Sequence, residues 1–435
     1  MGHIVSSDNH YHLLQQRLDR NVTCAPSSPT LISILKLIFS VEEAEIAQRI
    51  PAQPTSLEVI SSKLAIPSDE LYDKLTDMAQ RGLVVDLEYG ERHYFFLAPV
   101  VIGFFEFTFM RTRDDLPMVE LARLFEEYMY GEDGYELSLH QGQTQVGRRL
   151  VREEALPEDD HFEILDWERA SQIILSASTI GVSLCPCRHK AGHLGESCES
   201  PLDVCLSLNH AAEALIPHDI ARLITTKEAM KILESCKEAG LAQTADNVQR
   251  KVTYICNCCS CCCGMVKAMK TYDLRNAIVS SNWIMEIDLS ACNGCGKCVD
   301  ICPTDAIEIV EEKQGKKKKR WAIRDESLCL GCGVCYSTCK FGGITMKPRE
   351  QRIFTPESVF DKEVMMAIER GKLANLIFPE PWRFSHRALG RIVNILEKSP
   401  PFKAAMAIKP LHSVFLNTMV KEAKKQLGEI TKVIS

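Results

Sequence analysis

Cys292-Asn293-Gly294-Cys295-Gly296-Lys297-Cys298-Val299-Asp300-Ile301-Cys302-Pro303 is answered later in the chain by Cys329-Leu330-Gly331-Cys332-Gly333-Val334-Cys335-Tyr336-Ser337-Thr338-Cys339-Lys340. Both halves read C-x-x-C-x-x-C-x-x-x-C. A zinc site or a disulfide framework would have to place the third and fourth cysteines at the same offsets twice, so the repeat points to polynuclear metal clusters. The residues between the first three cysteines of each run are small. Gly294, Gly296, Gly331 and Gly333 stand where backbone must approach a cluster closely, and glycine alone adopts positive φ there without cost.

These runs resemble those of the two-cluster bacterial-type ferredoxins, over residues 286–347. In that family the fourth cysteine of each run ligates the other cluster. The resemblance therefore implies two [4Fe–4S] clusters, one on Cys292, Cys295, Cys298 and Cys339 and the other on Cys329, Cys332, Cys335 and Cys302. Pro303 follows the family pattern, whereas Lys340 stands where its second proline would be. Residues 306–310 and 320–324 predict a hairpin, and Ile344–Met346 repeats the strand, giving a βαββαβ-type module with internal two-fold pseudo-symmetry. The basic tip at 316–320 reads as a solvated hairpin, or as a docking patch for an acidic redox partner.

Ten further cysteines lie upstream in two groups. Cys185, Cys187, Cys198 and Cys205 suffice for one more [4Fe–4S] cluster, with zinc as the alternative occupant of the same ligand set. Cys256, Cys258, Cys259, Cys261, Cys262 and Cys263 then fill six of eight successive positions. Continued strand geometry would send Cys256 and Cys258 to one face and Cys259, Cys261 and Cys263 to the other. Residues 179–264 thus carry ligands for one or two further clusters, with surplus thiols left for a redox or substrate-binding role. His189, His193 and His210 flank the site as core or solvated histidines, or as outer-shell donors. Cys24 and Cys236 read as isolated thiols.

The remaining chain is punctuated by ordinary signals. An apolar stripe over 31–50 predicts one helix, and 56–64 and 68–81 two more, the last capped by Ser68 and closed by Gly82. Residues 83–88 and 92–97 predict a hairpin about Tyr89-Gly90-Glu91. Helix, helix, helix and two-stranded wing is an order that resembles a winged helix. Its second short helix carries Asp69, Glu70, Asp73 and Asp77 against Lys74 and Arg81. That sign is wrong for neutralising phosphates, so protein docking is favoured over nucleic acid.

An aromatic segment at Phe104–Phe109, a helix over 117–130, loop and strand over 131–150 and a helix over 166–178 follow. Residues 211–250 predict helical hairpins, with apolar faces over 211–215 and 219–224 and a helix over 227–239 that ends at Gly240. Helices over 358–370, 387–398 and 411–427 form a tail interrupted by Trp382 and Phe384.

The fold class expected is α+β and multidomain: a winged-helix-like domain (1–98), a helical packing region (99–178), a cysteine-rich α/β region (179–285), the ferredoxin module (286–347) and a helical C-terminal region (348–435). Lys+Arg 51 against Asp+Glu 58 gives a net charge of −7, which disfavours nonspecific nucleic-acid binding. Twenty cysteines in short spacings point to metal and a reduced, anoxic cytoplasm. No apolar stretch reaches the ~20 residues of a membrane span, and no dinucleotide, P-loop or nucleophile-elbow motif is present. The function predicted is electron transfer within a larger anaerobic oxidoreductase. The alternatives are a catalytic iron–sulfur reductase using residues 256–263 and a redox-sensing winged-helix regulator.

Overall fold

The computed structural model describes residues 7–132, 134–156, 165–314, 317–378, 390, 391 and 393. They are α+β, with helices and small antiparallel sheets in two compact units. One comprises Met1–Thr144, Glu213–Ala221 and Glu357–Ser435, the other Gln145–Ala212 and Arg222–Pro356.

The first unit opens with α1 (Ser7–Leu18), α2 (Pro29–Ile38) and α3 (Val41–Ala47). The stripe expected to form one helix over 31–50 is broken at Phe39, which is extended (φ −117°, ψ 135°). Ser40 and Glu43 enforce the break through a capping box. The Glu43 N–H donates to Ser40 Oγ (3.2 Å) and the Ser40 N–H to Glu43 Oε2 (2.7 Å). Next come β1 (Thr55–Ser56), α4 (Leu57–Leu64), α5 (Ser68–Gln80), β2 (Val84–Tyr89) and β3 (Arg92–Leu97), with sheet order β1-β3-β2. The N-cap of α5 falls at Pro67, which makes no side-chain cap, while Ser68 is already helical and donates its hydroxyl to Ser61 Oγ (3.2 Å). Gly90, at φ +66°, makes the turn between β2 and β3.

The aromatic segment forms a kinked turn and α6 (Phe105–Phe109), followed by α7 (Met118–Tyr130) and α8 (Tyr135–Leu139). Phe104, Phe105 and Phe109 surround Phe125 with ring centroids 5.1–6.3 Å away. Each such pair adds about 0.5–1.5 kcal/mol beyond area burial. α8 lies where loop was expected. Tyr135 makes it, stacking on Tyr128 at 4.9 Å and donating its hydroxyl to the Thr23 carbonyl (3.0 Å).

In the second unit β4 (Gly147–Arg149) is followed by α9 (Ala170–Ser176), β5 (Ile180–Leu184), α10 (Pro186–His193) and β6 (Asp203–Leu208). Extended Arg169 separates α9 from a 3-10 turn at Asp166–Glu168, so the helix expected over 166–178 is split. α11 (His210–Leu215) crosses into the first unit, and β7 (Arg222–Leu223), α12 (Thr226–Glu238), β8 (Ala242–Asp246), β9 (Tyr254–Cys258) and α13 (Gly264–Tyr272) complete this part. The strands form one sheet, ordered β4-β8-β9-β6-β5-β7. Two expectations fail here. Residues 219–224 are not helical, since Asp219 takes φ +55° and Arg222–Leu223 pairs with β5. Residues 242–246 form a wholly buried strand between β4 and β9 rather than part of a helical hairpin.

The remaining elements of this unit run β10 (Trp283–Ile287), α14 (Lys297–Ile301), β11 (Ile307–Gln314), β12 (Lys317–Arg324), α15 (Val334–Thr338) and β13 (Ile344–Pro348). β10 pairs with β13 and β11 with β12, so the two cysteine runs sit in equivalent halves. α16 (Val359–Glu369) and α17 (Leu373–Ile377) return to the first unit. Arg370 ties them in through the carbonyls of Val22 (2.6 Å) and Leu139 (2.9 Å). Gly315 and Lys316 of the basic tip, Trp382 and Phe384, the helix expected over 411–427 and most of that over 387–398 lie outside the described residues. Among the described residues no helix is long and apolar enough to cross a membrane.

Glu106 on α6 accepts the Gly103 N–H through Oε2 (2.9 Å). Burial raises its carboxyl from the ordinary 4.5 to about 8, against the hydrogen bonds that favour the charged form. A folded-state pKa above the unfolded one makes this contribution complete below pH 4.5 and lost as pH rises through about 8. Glu106→Gln should flatten the pH dependence of stability across that window and leave the variant the more stable protein at its upper end. Anaerobic urea titrations followed by circular dichroism measure both slopes, and equal slopes would refute the assignment.

Candidate metal centres

In the β10–β13 module the chain brings cysteines of both runs together. Cys292, Cys295, Cys298 and Cys339 line one cavity, walled by Ile309 and Ile344. These are the four residues that the ferredoxin resemblance groups. Cys339 reaches this cavity from the end of α15 in the other half of the module. The Ala322 N–H donates to Cys292 Sγ (3.4 Å). Around the second run, Cys335 is pushed well up by burial and by the Cys332, Cys329 and Cys302 thiols. Cys332 is also raised by burial, with Arg149 opposing. The Ala306 N–H donates to Cys302 Sγ (3.3 Å).

Four crowded, buried sulfurs cannot all ionise without a compensating cation. Apolar walls, amide donors aimed at sulfur and convergent thiols fit a [4Fe–4S] cluster in each position. The intervening glycines have the expected backbone, with φ +66°, +83°, +68° and +75° at Gly294, Gly296, Gly331 and Gly333. A Cβ on Gly331 would sit 1.9 Å from the Trp283 carbonyl oxygen, whereas one on Gly296 would meet nothing within 4 Å.

Upstream, the sheet assembles six sulfurs. Cys185 caps α10 with Pro186 behind it, and Cys187 lies in the helix's first turn. The β6–β9 register pairs Leu206 with Ile255, which sets Cys205 beside Cys256 one step along. Hydrogen bonding to Cys205, then burial, drives the Cys256 thiol well up. Cys258 is drawn down to about 6 by a hydrogen bond from Cys263 that outweighs burial, with Arg149 assisting. Cys263 also feels the Cys187 charge, and Cys185 feels both Cys187 and Cys205.

Cys198, which the sequence grouped with Cys185, Cys187 and Cys205, packs with Cys185 against a cluster that holds Cys259 and Cys262. Its sulfur lies within 4.8 Å of those of Cys259, Cys261 and Cys262. The alternation expected for residues 256–263 stops because β9 ends at Cys258. The turn that follows carries Cys259, Cys261 and Cys262 away and returns Cys263 to Cys258. Cys236 is a buried thiol pushed up to about 12 by burial, and Cys24 is buried in the first unit. His189 and His193 lie 4.8 Å apart, centroid to centroid, on α10.

Sequence reasoning passed over three buried arginines among the sulfurs. Arg188, held by the Asn257 carbonyl (3.2 Å), stands near Cys185, Cys259 and Cys258. Arg152 donates to Ser337 Oγ (2.7 Å) and feels Cys332 and Cys335. Arg149 is fully buried and acts on both Cys258 and Cys332. Its Nη1 reaches the Ala242 carbonyl (3.4 Å), and its Nε and Nη2 have no hydrogen-bond partner among the described residues. The adjacent pair Arg148-Arg149, set between Val146-Gly147 and Leu150-Val151, was the available signal.

Among protein families, the 4Fe-4S dicluster domain matches residues 291–356. No curated protein and no solved structure matches the chain. The chain therefore carries an iron–sulfur, ferredoxin-like domain, and [4Fe–4S] clusters are its cofactors.

The glycine geometry sets a graded test. Gly331→Ala should destabilise the loaded protein by at least about 2 kcal/mol, from backbone strain plus the carbonyl clash, and Gly296→Ala by only about 1 kcal/mol. Anaerobic denaturant titration monitored at the cluster absorbance would show the ordering, and equal losses would contradict it.

Proposed function

We propose that the chain is an electron-transfer protein or subunit that relays single electrons to or from a larger anaerobic oxidoreductase. An iron–sulfur cluster domain implies electron transfer in general. The observation that carries the proposal is the exchange of fourth cysteines. Cys339 lines the Cys292–Cys295–Cys298 cavity, and Cys302 lies among Cys329, Cys332 and Cys335. In this reading each group holds one [4Fe–4S] cluster. Bound clusters supply the one-electron chemistry. The chain's own residues fix their positions, exclude water through Ile309, Ile344 and Ala322, and donate amide hydrogen bonds to the ligating sulfurs. The six sulfurs of Cys185, Cys187, Cys205, Cys256, Cys258 and Cys263 provide a further centre in the same unit.

The order α3-β1-α4-α5-β2-β3 supports a winged-helix-like module in the first unit. Asp69, Glu70, Asp73 and Asp77 on α5 favour a protein partner over DNA, which weighs against a redox-sensing regulator. A catalytic reductase is the second reading, favoured by one observation. Six sulfurs exceed the four that one cubane requires, so this group has thiols to offer a substrate.

Anaerobic purification should yield at least about eight irons per chain, the content of two cubanes, and low-temperature EPR of the reduced protein should show spin coupling between neighbouring clusters. Cys298→Ser should damage one ferredoxin-type cluster and leave the sheet centre in place. Fewer than about four irons per chain, less than one cubane, would end the electron-transfer reading. Turnover of a substrate that depends on Cys258 or Cys263 would replace it with the reductase.

A further inference from the structure

Among the described residues, the four sulfurs of Cys198, Cys259, Cys261 and Cys262 are the one cysteine group gathered closely enough to share a single ion. All lie within 4.8 Å of one another. Cys261 and Cys262 are 3.4 Å apart, and Cys262 and Cys198 3.9 Å. One tetrahedral ion with metal–sulfur bonds of about 2.3 Å holds its thiolates about 3.8 Å apart. A cubane places a separate iron under each thiolate, which spreads the ligands wider than one shared ion does.

The local chain has the form of a mononuclear site. Cys259 and Cys262 stand at C-x-x-C spacing, the short ligand spacing of structural zinc sites. The Cys262 N–H donates to Cys259 Sγ (3.4 Å), the outer-shell contact that supports a thiolate ligand. Three ligands come from the turn that ends β9. The fourth lies 64 residues before Cys262, in the loop between α10 and β6. Buried Arg188 stands near Cys259 and offsets part of the negative charge that four thiolates bring to a divalent ion. Cys261 is exposed, so an ion reaches the site from solvent.

We propose that Cys198, Cys259, Cys261 and Cys262 hold a single tetrahedral zinc ion that pins the α10–β6 loop to the end of β9, separately from the iron–sulfur centres. Binding joins four thiolates to the ion and releases their protons to solvent, with no change of oxidation state.

Full-length protein, purified anaerobically, would be analysed for zinc and iron together. One zinc per chain is expected in addition to the cluster iron. Cys261→Ser and Cys198→Ser should each weaken zinc retention against a chelator by at least about tenfold, with iron content and visible absorbance unchanged; Cys24→Ser should change neither metal. Because a ligand variant can fail to fold, the wild-type protein would also be examined by X-ray absorption at the zinc edge, where four sulfurs at about 2.3 Å are expected. Absence of stoichiometric zinc, a nitrogen or oxygen shell, or loss of iron in either variant would overturn the proposal. Zinc bound at this site in a protein that holds no clusters would sink the electron-transfer reading and leave this one standing.

Discussion

A thiolate is a charge, and burial penalises the charged form. Nineteen of the twenty cysteines lie in the second unit, most of them packed against other sulfurs in apolar surroundings. Burial and neighbouring thiols raise Cys185, Cys256, Cys263 and Cys335 well above the ordinary thiol range. Such groups become good ligands only when a metal takes the place of their protons, so metal affinity and the stability of this unit are one quantity. The first unit is held differently. Its core is an aromatic cluster about Phe125 with helices capped by their own serines, and its one cysteine, Cys24, belongs to no group of sulfurs.

The division explains which parts of the molecule could be read from the chain. The ferredoxin runs were legible because each binding loop is local: spacing and glycine placement fall within a dozen residues, and the positive φ values at Gly294 and Gly331 follow from them. The hairpin at Gly90 and the helix end at Gly82 were legible for the same reason. The break at Phe39 was not, because the apolar stripe stays in phase across it and only the reciprocal Ser40–Glu43 bonds reveal two helices. The strand at residues 242–246 is buried on both faces and lacks the alternation that marks a half-exposed strand.

The upstream cysteines are hard to read from sequence for a different reason. Their grouping depends on contacts between distant positions, and nearness along the chain misleads. Cys198 lies between Cys187 and Cys205 in sequence but packs with Cys262. Cys256 and Cys258 share a strand face, and the turn after Cys258 decides the company of the four cysteines that follow. The β6–β9 register sets Cys205 against Cys256, and no local pattern encodes a register.

The buried arginines complete the electrostatic logic. Clusters of thiolates carry net negative charge even with their metals bound, and a low-dielectric interior screens that charge poorly. Arg188, Arg152 and Arg149 place fixed cations among the sulfurs, each tied by a carbonyl or hydroxyl on its own side. Arg149 acts on Cys258 of the sheet and on Cys332 of the ferredoxin module, with two nitrogens that no protein acceptor in the described residues satisfies. A guanidinium so placed lowers the cost of negative charge on both sides of it. Net charge near a cluster is one of the quantities that set its potential, so Arg149 couples the electrostatics of the two cysteine regions through a single side chain.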